Sequence, residues 1–114
     1  MTAGRRALGA RGEALAARWY ESRGYVVVAR NWRCREGEID LVLARGRQIV
    51  VCEVKTRTST AYGTPAEAVT RTKQMRIRRI AMRWLDSQDV RPAGVRFDVA
   101  CVLGSTVDVI EAAF

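Results

Sequence analysis

Histidine is absent from this sequence, and that gap removes several kinds of chemistry. Ser-His-Asp hydrolysis needs an imidazole to take a proton from the nucleophile, and histidine-based nuclease and ribonuclease mechanisms need one as acid or base. Any catalysis must therefore run on carboxylates, lysine and water activated by a metal. Lysine is nearly missing as well. Of the 20 basic side chains only Lys55 and Lys73 are lysines. Where a generic positive charge suffices, the chain uses arginine; the two exceptions are candidate places where a compact ammonium has a chemical purpose.

Cysteine is scarce and unpaired. Cys34, Cys52 and Cys101 make an odd count with no C-x-x-C pair. That argues against a disulfide framework and a zinc site, and fits a reducing cytoplasm. No uninterrupted apolar run approaches the ~20 residues of a membrane helix. Arg5 and Arg6 are not followed by the apolar stretch of a secretory signal. A cytoplasmic location and no membrane partner are the resulting expectations.

What is present fits one folded domain spanning residues 1–114. A hydrophobic content of 48% is ample for a single core. Basic side chains outnumber acidic ones 20 to 12, a net charge of +8. Such an excess favours a polyanionic partner, and nucleic acid is the commonest.

Periodicity predicts the order α-β-β-β-α-β-β, an α/β domain with a central mixed sheet flanked by helices. Leu8, Gly12, Leu15 and Trp19 form a helical stripe within Arg5 to Arg23, closed by Gly24. Tyr25 to Ala29 reads as a strand, followed by a polar loop from Asn31 to Gly37. Glu38 to Ala44 and Gln48 to Thr56 read as a hairpin around Arg45-Gly46-Arg47. Thr64-Pro65-Ala66-Glu67 has the signature of a helix start, with Thr64 as cap, Pro65 at the first position and Glu67 as capping residue. That helix is expected to reach about Gln88. Strands at Val95 to Leu103 and Thr106 to Ile110 complete the order, joined by Gly104-Ser105.

The hairpin carries the chemistry. Strict alternation points Glu38, Asp40 and Val42 one way, and Ile39, Leu41 and Leu43 the other. On the next strand Val51, Glu53 and Lys55 share a face. A turn symmetric about Arg45-Gly46 would set Ala44 opposite Arg47, Asp40 opposite Val51 and diagonal to Glu53, and Glu38 opposite Glu53. Three carboxylates and an ammonium then converge, a hard oxygen set suited to Mg²⁺. Such an ion polarises a phosphodiester and activates water, while Lys55 orients the water or stabilises charge on the phosphate. An isolated Glu-x-Lys is commonly just a salt-bridged strand face; the upstream Asp40 in register is what distinguishes this one.

Gly37-Glu38-Ile39-Asp40-Leu41 followed by Val51-Cys52-Glu53-Val54-Lys55-Thr56-Arg57 resembles the signature of the YraN-like family. The resemblance extends over nearly the whole chain, through Gly12-Glu13, Arg30-Asn31-Trp32 and Arg96-Phe97-Asp98-Val99. Members of that family are classed as predicted endonucleases of the PD-(D/E)xK superfamily, similar to Holliday-junction resolvases. The resemblance implies a restriction-endonuclease-like fold, with Asp40, Glu53 and Lys55 catalytic and Mg²⁺ or Mn²⁺ as cofactor. It further implies Asp40, Glu53 and a helix-borne Glu13 as metal ligands, although the helical wheel alone puts Glu13 in solvent. Ile39 stands where the motif's name has proline.

Lys73 falls within the apolar stripe of the second helix, formed by Ala66, Val69, Ile77, Ile80 and Trp84. A lysine there either snorkels to water or meets a carboxylate; our expectation is contact with Glu53, Asp40 or a substrate phosphate. Arg33 and Arg57 in loops near the motifs, and Arg76 on the helix, are expected to join Lys73 in binding nucleic acid, by phosphate contact rather than base reading. Trp32 and Tyr62 are loop aromatics that could stack on bases. Asp98 reads as structural, and Trp19 and Trp84 as core.

Two functions stand ahead of a third reading, a purely structural adaptor with no nucleic-acid affinity. One is a metal-dependent endonuclease acting on DNA, including branched or single-stranded forms; related resolvases work as dimers, so a second copy is among the expected partners. The other is a nuclease-like module that binds nucleic acid without cutting it, in support of a helicase or repair partner.

Overall fold

The structure, a computed structural model, describes residues 3–58, 69–89 and 91–114, with side chains from residue 7 onward. Its elements are α1 (Ala3–Glu21), β1 (Val26–Cys34), β2 (Gly37–Arg45), β3 (Gln48–Arg57), α2 (Arg71–Asp86), β4 (Gly94–Leu103) and β5 (Thr106–Ile110). The strands form one sheet in the order β1-β2-β3-β4-β5. All neighbours are antiparallel except β3 and β4. A parallel pair needs a crossover, and the segment containing α2 supplies it. The predicted α/β order and the mixed sheet are both observed. Neither described helix is long and apolar enough to cross a membrane.

One core lies on each face of the sheet. On the α1 face Ala16, Ala17 and Tyr20 pack against Leu41, Leu43, Val50, Cys52 and Ala100. On the α2 face Ile77, Ile80, Ala81 and Trp84 pack against Ile39, Val42, Val51, Phe97 and Val99. The apolar face of α1 is rotated from the predicted stripe. Gly12, Ala16, Ala17 and Tyr20 are buried, while Leu15 and Trp19 are half-buried. Small side chains let the helix lie close to the sheet: a Cβ on Gly12 would overlap Thr56 Oγ1 of β3. This approach brings Glu13, the next residue, down to the strands.

The predicted polar loop from Asn31 to Gly37 is not a loop. β1 continues to Cys34 and returns through a two-residue turn, Arg35-Glu36. Trp32 and Cys34 pack against the α2-side core, and burying them stabilises the strand more than their polar neighbours disfavour it. Trp32 is therefore a packing residue in a strand rather than a loop aromatic.

The β2–β3 turn is displaced by one residue from the predicted one. Arg45 pairs with Gln48 and Ala44 with Ile49, leaving Gly46-Arg47 as a two-residue turn with Gly46 at φ +59°. Such turns require positive φ, which glycine adopts without cost. The register is thus two residues from the predicted one, and Val42 rather than Asp40 faces Val51.

Helix α2 begins at Arg71. Thr70 is its N-cap, with extended backbone and a side chain that accepts the Lys73 N–H at 3.2 Å. A continuous helix through residues 69 and 70 is excluded by that geometry. The helix start expected at Thr64 to Glu67, and Tyr62, lie outside the described residues. Gly24 (φ +87°) follows α1, with the Tyr25 N–H returning to the Tyr20 carbonyl at 3.1 Å.

Candidate metal centre

The site forms where β2 and β3 part. Their recorded pairing stops at Leu41 and Cys52. Beyond it the Val54 N–H is donated to the carboxylate Oδ2 of Asp40 at 2.8 Å. The side chain of Asp40 thus replaces a backbone carbonyl as partner for β3, and this fixes the carboxylate at the opening between the strands.

Strict alternation fails at this point. Ile39 and Val42 both belong to the α2-side core, whereas Leu41 and Leu43 belong to the α1 side. Two residues rather than one lie between these side chains of the same face, so Asp40 does not follow Val42 into the core. Instead the carboxylates of Asp40, Glu38 on β2 and Glu13 on α1 each bring an oxygen within 4.8 Å of the other two. Glu13 also accepts a hydrogen bond from Asn31 Nδ2 at 3.1 Å. Glu38 Oε2 accepts from Arg33 Nε at 2.7 Å.

Glu53 sits beside this group with different company. Its Oε1 is 3.5 Å from Lys55 Nζ and 3.3 Å from Lys73 Nζ. Glu53 was expected to share an ion with Asp40 and Glu13; in this arrangement Glu38 completes the close trio, because two ammoniums hold Glu53. The like-charge pairing predicted between Glu38 and Glu53 does not occur in the recorded ladder.

The electrostatics show the strain of gathering these acids. Burial, and next the charge of Glu53, push the Asp40 carboxyl up to about 7, with Glu13 and Glu38 adding to the rise and the Val54 N–H opposing it. Glu13 is raised by burial and then by Glu38 and Glu53. Lys55 is pushed down by burial and by the neighbouring Lys73. Carboxylates crowded in this way suit a divalent cation, which offsets their repulsion and prefers hard oxygen donors. The donor set therefore fits Mg²⁺ or Mn²⁺.

The other expected binding residues lie around this centre. Lys73 projects from the first turn of α2 to Glu53, the contact anticipated from its place in the apolar stripe. Arg33 is largely exposed beside Glu38. Arg76 is exposed on α2, close to Gly37 at the start of β2. Arg57 ends β3 and is half-buried. Sequence reasoning gave no role to Asn31; the only available signal was an amide side chain interrupting a β-rich run.

Asp98 is occupied elsewhere. Fully buried on β4, it accepts from Tyr20 Oη at 2.6 Å, from Arg96 Nε at 2.9 Å and Nη2 at 3.0 Å, and from the Ala112 N–H at 3.0 Å. With its oxygens so engaged, the residue joins α1 to the sheet and to the C-terminal segment, as a structural reading requires.

Residues 12–102 match the model of "Uncharacterised protein family UPF0102". The chain belongs to the UPF0102 family. This is the YraN-like family whose motifs the hairpin resembles, and the matched span contains every residue of the centre from Glu13 to Lys73. A UPF0102 protein of Beutenbergia cavernae is 55% identical over 97 residues, covering 85% of this chain and 82% of its own. Its counterpart in a Nocardioides species is 52% identical over 99 residues, covering 87% and 80%. That of Nocardia farcinica is 54% identical over 99 residues, covering 87% and 78%.

Proposed function

We propose that this UPF0102 protein is a metal-dependent endonuclease of the PD-(D/E)xK kind that hydrolyses phosphodiester bonds in DNA. The observation that carries the reading is the meeting of Asp40 from β2 with Glu53 and Lys55 from β3 at the end of their pairing, with Glu13 and Glu38 alongside. Asp40, Glu13 and Glu38 would hold Mg²⁺ or Mn²⁺, with Glu53 at its margin. When bound, such an ion polarises a phosphodiester and brings water into nucleophilic range at neutral pH.

The chain's own groups do the rest. The Val54 N–H keeps Asp40 at the strand opening. Lys55 is half-buried beside Glu53, where an ammonium orients the attacking water or stabilises charge building on the phosphate. Lys73 and the exposed Arg33 and Arg76, with Arg57 at the strand end, would bind flanking phosphates. The net charge of +8 favours that polyanion and implies steep salt dependence. Three free cysteines accord with a reducing cytoplasm.

The test is a cleavage panel over duplex, single-stranded, flap and four-way DNA with Mg²⁺, Mn²⁺ or chelator. Cutting should require the cation and disappear in Asp40→Ala, Glu53→Ala and Lys55→Ala. Equal cutting by those three variants would overturn the assignment. Salt-sensitive binding without cleavage by the pure wild-type protein would favour the binding-module function instead.

A further inference from the structure

We propose that Asn31 is a positioning residue that aims Glu13 at Asp40 and Glu38, so that α1 contributes to the cation's shell; this rests on the metal-dependent reading above. Asn31 lies inside β1 yet has φ +48°. Among the described residues only Ala112 shares a positive φ without being glycine. Left-handed backbone is unfavourable for most L-residues and least so for asparagine and aspartate, which makes the residue type at this position informative.

The conformation is matched to the site. Arg30 pairs with Leu41 and Trp32 with Ile39, so Asn31 is level with Asp40. Ala29 and Trp32 both pack against the α2-side core, and so do their partners Val42 and Ile39. The two strands therefore break alternation in step: Arg30-Asn31 on β1 and Asp40-Leu41 on β2 are the intervening pairs. That shared break carries Asp40 out of the α2-side core and turns the Asn31 amide toward α1.

The amide then meets Glu13 Oε1 at 3.1 Å. Among the described residues this is the only side-chain hydrogen bond to Glu13. Asn31 is itself exposed, so burial does not account for its unusual backbone. The donor is also of the right kind. An arginine would neutralise Glu13, whereas a neutral amide fixes one oxygen and leaves the full negative charge for a cation. Outer hydrogen-bond partners of ligating carboxylates act in this way.

The experiment is Mn²⁺ titration calorimetry on the full chain, with thermal melts in chelator. The proteins are wild type, Asn31→Gly, Glu13→Gln and the double variant. Glycine keeps the left-handed backbone at no steric cost and removes only the amide. Asn31→Gly should bind Mn²⁺ about tenfold to a hundredfold more weakly, with its cation-free melting midpoint unchanged. Glu13→Gln should lose at least as much. The double variant should lose no more than Glu13→Gln, because Asn31 acts through Glu13. Wild-type affinity in Asn31→Gly, or additive losses in the double variant, would overturn the positioning role alone. Failure of the wild type to bind Mn²⁺ would overturn the metal-dependent reading and this role with it.

Discussion

Lys73 Nζ on α2 lies 3.3 Å from Glu53 Oε1 on β3, and this contact ties the crossover helix to the strand that carries Glu53 and Lys55. Both partners are largely shielded from water, with Glu53 at 11% and Lys73 at 28% side-chain exposure. Glu53 Oε1 also receives Lys55. The sequence has two lysines, and both are directed at one carboxylate oxygen.

Removing one of them should therefore be felt at the reaction. Lys73→Met is expected to lower kcat/KM for DNA cleavage by about tenfold, equivalent to about 1.4 kcal/mol. Single-turnover cleavage in the presence of Mg²⁺ measures it. Lys73→Arg should fall between wild type and methionine, because it keeps the charge and loses the compact ammonium. Unaltered binding and cleavage in Lys73→Met would remove the residue from the site.

The acid cluster sets a pH dependence for the cation-free protein. The Asp40 carboxyl is raised from 3.8 to about 7. Between those values the folded state holds a proton that the unfolded state has released, so stability falls as pH rises through the window. Glu13, also raised, acts in the same direction. Asp40→Asn should flatten this slope and melt several degrees higher than wild type at pH 8, a shift on the order of 5 °C. Melts in chelator from pH 4 to 8 provide the check; a stability that rises across that range would contradict the burial and repulsion described.

Gly12 is required by the fit of α1 on β3. Gly12→Ala gains helix propensity, about 1 kcal/mol, and loses more through the collision of its Cβ with Thr56 Oγ1. A net destabilisation of about 1–2 kcal/mol is expected from overpacking. Thr56→Ala removes the colliding oxygen, so the double variant should recover part of the loss. Urea denaturation of the four proteins in this cycle measures the coupling; additive effects would show that the contact is not the cause.

Asp98 is engaged by Tyr20, Arg96 and the Ala112 N–H, and is expected to support the fold rather than the proposed reaction. Asp98→Ala leaves the Arg96 guanidinium and the Tyr20 hydroxyl without their buried acceptor. Loss of one member of such a buried charged pair costs about 3–5 kcal/mol. The variant should melt far below wild type, and at a temperature where it remains folded its Mn²⁺ affinity should be unchanged. Selective loss of Mn²⁺ binding in a stably folded Asp98→Ala would move the residue into the site.

The element order was legible because apolar periodicity and turn residues are local signals. Gly24, the Gly46 turn and the alternating runs of β3 to β5 each declare themselves within a few residues. The extent of β1 was not legible, since Trp32 and Cys34 are strand residues only by virtue of the α2-side core they meet. The cap of α2 at Thr70 was not legible either: apolar periodicity carried one helix from Thr64 to about Gln88 and gave Thr70 no role. Glu13 illustrates the limit most clearly. A helical wheel measures distance from an apolar stripe, and the stripe itself was misplaced because glycine and alanine, not leucine and tryptophan, form the closest contact.

Sequence by itself determined the available chemistry: carboxylates, two lysines, no imidazole, and an excess of positive charge. It also determined the strand pair that carries Asp40, Glu53 and Lys55, because apolar runs on either side of a turn glycine are properties of neighbouring residues. Tertiary structure alone decided which carboxylates meet. A left-handed residue on β1, a break in alternation on β2 and the close approach of α1 bring Glu13, Glu38 and Asp40 together, while α2 delivers Lys73 to Glu53. These groups are far apart in the chain, and only the packing of helices on both faces of the sheet fixes distances of that kind.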